Sequence, residues 1–250
     1  MLRFNKIVFG PIHSRRLGSS LGVNLLPLNG KLCNFDCVYC ECGWNRDGRC
    51  SGTLPETEEV AGELERVLMS CREDGTAIDS ITFSGNGEPT LHPEFPLIID
   101  RTLEIRDRLC PEAKVSVLSN ASRLDRPEVL AALKKVDNPI LKLDAVSREG
   151  AQLVNRPGFD WELDDIVKGM SSFDGNFILQ TMFLSSDFFD SSSILERWME
   201  LVRELRPRKV MAYSLDRETP MSGLRPYSAA RMEEMLSPLI REGFDIQINA

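Results

Sequence analysis

Lys31-Leu32-Cys33-Asn34-Phe35-Asp36-Cys37-Val38-Tyr39-Cys40 sets three cysteines at the spacing C-x3-C-x2-C. Such spacing suits a loop that wraps one metal cluster. Thiolates are the ligands of iron–sulfur clusters, and a complete four-iron electron-transfer cluster takes four of them. Here the tight group stops at three. On a cube of four irons that leaves one iron without a protein ligand, and an open coordination position is where a metal site does chemistry. The alternatives are a zinc knuckle or a set of buried free thiols, since free cysteine also serves as a small core hydrophobe. Zinc knuckles recruit four ligands in paired C-x2-C or C/H units, and this chain has no second such pair.

Working outward, 250 residues suffice for one large core, so residues 1–250 are expected to form a single domain. Hydrophobic residues make up 42% and charged residues 27%, an ordinary globular balance without repeats or low-complexity tracts. The net charge of −8 argues against extensive nucleic-acid binding, because contact along a phosphate backbone is driven by clustered Lys and Arg. A local basic groove stays open to the chain. No apolar run approaches the ~20 residues of a membrane span, and Met1 to Lys6 lacks the apolar core of a signal peptide. Seven cysteines, three of them clustered, suit a reducing compartment. A cytoplasmic location away from membranes is the expectation.

The chain alternates between two periods. A Gly-rich turn with His13, Arg15 and Arg16 leads into an apolar strand from Leu21 to Leu26; the basic residues either stay solvated or meet an anion. After a polar loop holding Cys42 and Cys50, a helix starts near Pro55 with Val60, Leu64, Val67, Leu68 and Cys71 at helical spacing. The spacing then predicts strand 81–83, helix 93–109, strand 114–119 and helix 127–136, the last with an Asp125 cap. Strand 140–146, a helix from Asp160 and strand 177–184 follow. Next come a helix opened by a Ser193 and Glu196 capping box, strand 209–215, and a helix between Ser228 and Gly243. Six strands alternating with six helices read as right-handed βα units around a parallel sheet, a partial (β/α)6 TIM-type barrel. Chemistry in such barrels sits at the carboxyl ends of the strands. That rule brings together the cysteine loop, Gly85 to Thr90, Ser119 with Asn120, and Asp144.

Several of these positions have two readings. Ser84-Gly85-Asn86-Gly87-Glu88-Pro89 is either a tight βα turn or a backbone that approaches a ligand closely. Lys142 and Asp144 share one face of a strand, so inside a barrel they serve a ligand or one another. Gln180, in an otherwise apolar strand, is a satisfied core polar group or a ligand contact. Tyr39 is loop packing or a cofactor neighbour. Cys71 and Cys110 end two helices at the opposite face and read as core filling, and His92 as a helix cap.

C-x3-C followed by C-x-aromatic-C resembles the signature of the radical SAM superfamily, and Gly10-Pro11 through Ser14-Arg15-Arg16-Leu17-Gly18 and Leu21-Gly22 resembles a subgroup related to wyosine-type tRNA-modifying enzymes. The resemblance implies a [4Fe–4S] cluster on Cys33, Cys37 and Cys40, whose open iron chelates S-adenosylmethionine (SAM). Reductive cleavage of SAM to a 5′-deoxyadenosyl radical would then abstract hydrogen from a small molecule or an RNA base. An external electron donor such as flavodoxin or ferredoxin is implied with it. The turn at Gly87 and Glu88 resembles the family's G-G-E-P segment, whose backbone meets the SAM amino group. Asn86 replaces the first glycine of that pair, and Asn tolerates positive φ better than most residues. Tyr39 corresponds to a position against the adenine. Ser119, Asn120, Lys142 and Asp144 correspond to ribose or methionine-carboxylate contacts. Two other readings stand beside this oxidoreductase: an activase placing a glycyl radical on a partner protein, and a non-catalytic iron–sulfur electron carrier.

Overall fold

In the computed structural model, which describes residues 3–14, 17–47, 52–185 and 192–250, the alternation builds one curled sheet that forms a half-barrel. Its strands stand in the order β1 (Val8–Ser14), β2 (Gly18–Val23), β3 (Ser80–Phe83), β4 (Lys114–Ser119), β5 (Asn138–Lys142), β6 (Ile178–Met182), β8 (Lys209–Tyr213) and β10 (Ile246–Asn249). From β2 to β10 every neighbouring pair is parallel, and β1 closes one edge antiparallel to β2. Parallel neighbours need crossovers. These are α1 (Thr57–Glu73), α2 (Phe95–Leu109), α3 (Pro127–Lys135), α4 (Arg148–Val154) with α5 (Leu163–Ser171), α6 (Ser192–Leu205) and α7 (Ala229–Arg241). A small ladder pairs β7 (Leu184–Ser185) with β9 (Arg225–Pro226).

Period two decides what each face holds. Val115, Val117, Leu141, Leu179, Val210 and Ala212 point to the helices and join the main core with Leu64 of α1 and Leu236 of α7. Each such fully buried Leu or Val contributes about 1.5–3 kcal/mol. Inside the curl, Ile140, Ile178 and Met211 pack with Leu17 and Leu118 as a separate apolar plug. On the same inner face a chain of hydroxyls runs across the sheet: Ser20 to Thr82 at 2.7 Å, Thr82 to Ser80 at 3.0 Å, and Ser80 to Ser116 at 2.9 Å. One residue pair beyond the plug lie Lys142 and Gln180, in register with one another.

Six βα units match the expectation, and a seventh parallel strand, β10, extends it. The first strand ends at Val23 because Asn24 turns the chain out of the ladder, its amide bonding Leu26 O at 3.1 Å while its Oδ1 accepts from Leu26 N. The strand expected to reach Val146 stops at Lys142, and the one expected to reach Leu184 stops at Met182 before Leu184 leaves for β9. Arg126, not Asp125, precedes α3, and no side chain caps it. The helix expected from Asp160 begins at Leu163, and Ser193 lies inside the first turn of α6. Ser228 does cap α7, accepting from Arg231 N at 3.3 Å. The side chain of His92, expected as a helix cap, meets no N–H of α2: its Nδ1 accepts from Glu94 N, just before the helix, at 3.1 Å, leaving Nε2–H to donate to Pro55 O at 3.0 Å. Arg15, Arg16 and Cys50 lie outside the described residues.

Candidate functional site

The cysteine loop leaves β2 at the carboxyl end of the sheet and is held from two sides. On one, Leu32 pairs with Gly87 as an isolated parallel bridge, Leu32 N donating to Asn86 O at 2.9 Å and Glu88 N to Leu32 O at 3.1 Å. Gly87 has φ +138°, and a Cβ there would stand 1.8 Å from Leu32 O, so only glycine permits this approach. On the other, the end of α4 clamps the loop: Asp36 N donates to Asn155 O at 2.8 Å and Val38 N to Val154 O at 2.9 Å. Buried Lys31 donates to Gly43 O at 2.7 Å and lies 3.5 Å from Asp36. Asn45 ties down the carbonyls of Cys33 and Phe35 at 3.2 and 3.0 Å.

The thiols themselves meet donors. Phe35 N lies 3.4 Å from Cys33 Sγ, and the Asn155 amide nitrogen 3.4 Å from Cys37 Sγ. Asn120 Nδ2 reaches Cys33 Sγ at 3.9 Å. Burial pushes the Cys33 thiol up and the Cys37 thiol up to about 11. The bond from Cys42 draws Cys40 down to about 5, against burial and helped by the Lys31 ammonium; the same bond drives Cys42 up. Cys42 Sγ also lies 3.5 Å from Gly85 O. Among the described residues no three His, Cys, Asp or Glu side chains converge closely enough for a single metal ion. Three thiols on one braced loop, with amide nitrogens near the sulfurs of Cys33 and Cys37, fit a cluster that spreads its ligands over separate irons.

Asn86 is wholly buried, and its departure from glycine has a side-chain reason. The positive φ values fall on the glycines beside it, Gly85 and Gly87, so tolerance of that backbone is not what Asn86 supplies. Its amide donates to Phe4 O at 2.8 Å and Pro27 O at 2.9 Å, and its oxygen accepts from Phe4 N at 3.0 Å, anchoring the N-terminal segment.

Glu88 points inward and is 3% exposed. Its carboxylate accepts from Thr90 N and Oγ1, from Ser119 Oγ at 2.9 Å and from Asn120 N at 2.7 Å. Burial nevertheless holds its pKa above the ordinary value, against those bonds. Glu88, Ser119 and Asn120 are thus one brace across two strand ends, and Asn120 extends it to Asn34 of the cysteine loop at 2.9 Å.

Lys142, Asp144 and Tyr39 also come together. Lys142 Nζ donates to Tyr213 OH at 2.8 Å and to Tyr39 OH at 3.1 Å, and sits 4.9 Å from the Tyr39 ring centroid. Tyr39 OH donates in turn to Asp144, which also accepts from Met182 N at 2.9 Å and Asn155 Nδ2 at 2.8 Å. Burial would discharge the lysine, but Tyr213 and Asp144 hold its pKa above the ordinary value. Burial, and then Asp144, pushes the Tyr39 phenol up, so it stays protonated. Tyr39, Tyr213, Cys42, Gly85 and Thr82 line a cavity of about 460 Å³ inside the curl. A second, of about 480 Å³, lies on the far side of Asp144 and Met182. Each has the size of a ligand site. Gln180 is 3% exposed on the same inner face. Asn155 and Tyr213 are the site residues that sequence reasoning missed; Asn155 stands 118 positions from Cys37, with no local pattern to link them.

No helix among the described residues is long and apolar enough to cross a membrane. A Methanocaldococcus jannaschii protein named UPF0026 is 34% identical to 81% of this chain, which spans 61% of that relative. A Helicobacter pylori protein of the same name is 30% identical over 84% of this chain and 67% of its own length. A Brachyspira hyodysenteriae protein named GTPase Obg is 30% identical over 92% of this chain, which spans 33% of it. Among solved structures, a radical SAM methyltransferase from Sphaerobacter thermophilus superposes with a TM-score of 0.69 at 15% identity, over 92% of this chain and 65% of its own. Streptococcus suis SuiB bound to S-adenosylmethionine does so at 0.65 and 15%, over 89% and 49%. The model of the Radical SAM superfamily matches residues 30–206, from the approach to the cysteine loop through α6, and the chain accordingly belongs to that superfamily of enzymes.

Proposed function

We propose that residues 1–250 act as a single radical SAM domain in which Cys33, Cys37 and Cys40 hold a [4Fe–4S] cluster and SAM binds in the adjoining cavity. The observation that carries this is the three-thiol loop, braced from both sides beside a space of about 460 Å³. When bound, the cluster would pass an electron to SAM, and cleavage to methionine and a 5′-deoxyadenosyl radical would supply the agent that removes hydrogen from the substrate.

The chain's own residues bind, orient and exclude water. The backbone at Gly87 and Glu88 receives the SAM amino group, with the Glu88 carboxylate fixing Ser119 and Asn120 behind it. Tyr39 offers its ring to the adenine while its hydroxyl stays with Lys142 and Asp144. That pair and Gln180 face the ribose, the methionine carboxylate or the substrate. Burial of Tyr39, Asn155 and Gln180 keeps solvent from the reacting atoms. The electron comes from an external donor of the flavodoxin or ferredoxin kind, and the setting is cytoplasmic. The substrate is a small molecule or RNA base, in keeping with the wyosine-related motif; the net charge of −8 favours the small molecule.

Anaerobic reconstitution, reduction and addition of SAM test the reading. SAM is expected to change the electron paramagnetic resonance signal of the reduced cluster. A loaded protein whose signal ignores SAM would be an electron carrier instead.

A further inference from the structure

Asn155 follows α4 and is 4% exposed. Its backbone oxygen holds Asp36 N, and its carboxamide nitrogen faces three acceptors: Asp144 Oδ2 at 2.8 Å, Cys37 Sγ at 3.4 Å and Tyr39 OH at 3.4 Å. An amide nitrogen carries two hydrogens. Asp144 takes the closest contact, which anchors the group and turns the other hydrogen to the sulfur and phenol side.

We propose that Asn155 is a positioning residue of the metal centre, whose N–H···S bond to Cys37 raises the reduction potential of the cluster that this thiolate holds. The inference rests on the function proposed above. A donor on a ligating sulfur draws off negative charge, and the reduced cluster, with one more electron, gains more from it than the oxidised one. Asn155 is buried and Cys37 half-buried, which limits the competition of water for the sulfur and strengthens the effect. The second amide, Asn120, stands at 3.9 Å from Cys33 Sγ and has Asn34 as its near partner, so it contributes less.

The test is a redox titration of the reconstituted full chain, followed by electron paramagnetic resonance, for the parent, Asn155→Leu and Asn155→Ala. Both remove the donor without adding a charge beside Asp144, leucine at similar volume and alanine with less. With parental iron and sulfide content, both variants are expected to be about tenfold harder to reduce, a fall of about 59 mV for one electron. Asn120→Ala is expected to shift less. A packing effect alone would separate alanine from leucine, whereas loss of the donor moves both alike. Should leucine impair loading, the alanine variant decides by itself. Loaded variants whose reduction equilibrium stays within about twofold of the parent overturn the inference while the cluster reading stands. A parent that takes up no cluster overturns both.

Discussion

Lys142 and Asp144 meet on one atom, the hydroxyl of Tyr39, which accepts from the ammonium at 3.1 Å and donates to the carboxylate. The cysteine loop thus carries the link between two charges expected on one strand face, of which Lys142 ends β5 and Asp144 lies just past it. Removing one charge leaves the other half-buried and without its charge partner, so Asp144→Asn or Lys142→Met is expected to destabilise by less than the ~3–5 kcal/mol of a fully buried pair. The double variant should recover much of that, because it removes the unpaired-charge penalty. Denaturant melts measure the stability. If the pair serves SAM or substrate, the double variant stays folded and loaded while SAM cleavage falls; normal cleavage in a stable double variant makes it a structural pair.

Gly87→Val sets a branched side chain where even a Cβ would stand 1.8 Å from Leu32 O, one residue before Cys33. The loop must move, and the backbone facing SAM moves with it. Iron retention after desalting and SAM affinity are both expected to fall. A folded variant with parental values of both would detach this turn from the centre.

Glu88→Gln keeps one acceptor oxygen and turns an NH2 group towards donors that the carboxylate now satisfies. Leaving a buried polar group unmatched costs about 1–3 kcal/mol, so melting should shift down, with disturbed amide resonances at Ser119 and Asn120. A variant as stable as the parent would show that the brace carries little.

His92 gives a pH dependence. Burial lowers its pKa from 6.5, and its Nδ1 must stay unprotonated to accept from Glu94 N. The unfolded chain therefore takes up a proton that the folded one refuses. The stabilisation is present above about pH 6.5 and is lost as pH falls through the lowered folded value. Thermal melts between about pH 7.5 and 5.5 should fall more steeply for the parent than for His92→Gln. Parallel curves would exclude His92 as the group responsible.

The parallel architecture was legible because Val115, Val117, Leu141 and Leu179 repeat with period two between amphipathic helices. The three thiols were legible because their ligand spacing is local. Strand ends were not, since Asn24 leaves the ladder through its own side chain. α4 is short and polar, and the pairing of β10 with β8 is a tertiary contact that no local period reports. Glu88 showed as a polar group at a strand end, but beside the two donors of Thr90 it takes two from Ser119 and Asn120, 31 and 32 positions on, which no local pattern links to it. Asn155 had no local signal at all.

The most direct measurement is 5′-deoxyadenosine formation from SAM under anaerobic reduction, with iron counted in the same samples, for the parent and for Cys33→Ala, Cys37→Ala and Cys40→Ala. The parent is expected to carry about four irons and release 5′-deoxyadenosine, and each variant to lose the intact cluster and the product. A full cluster and undiminished SAM cleavage in all three variants would contradict the assignment of these cysteines.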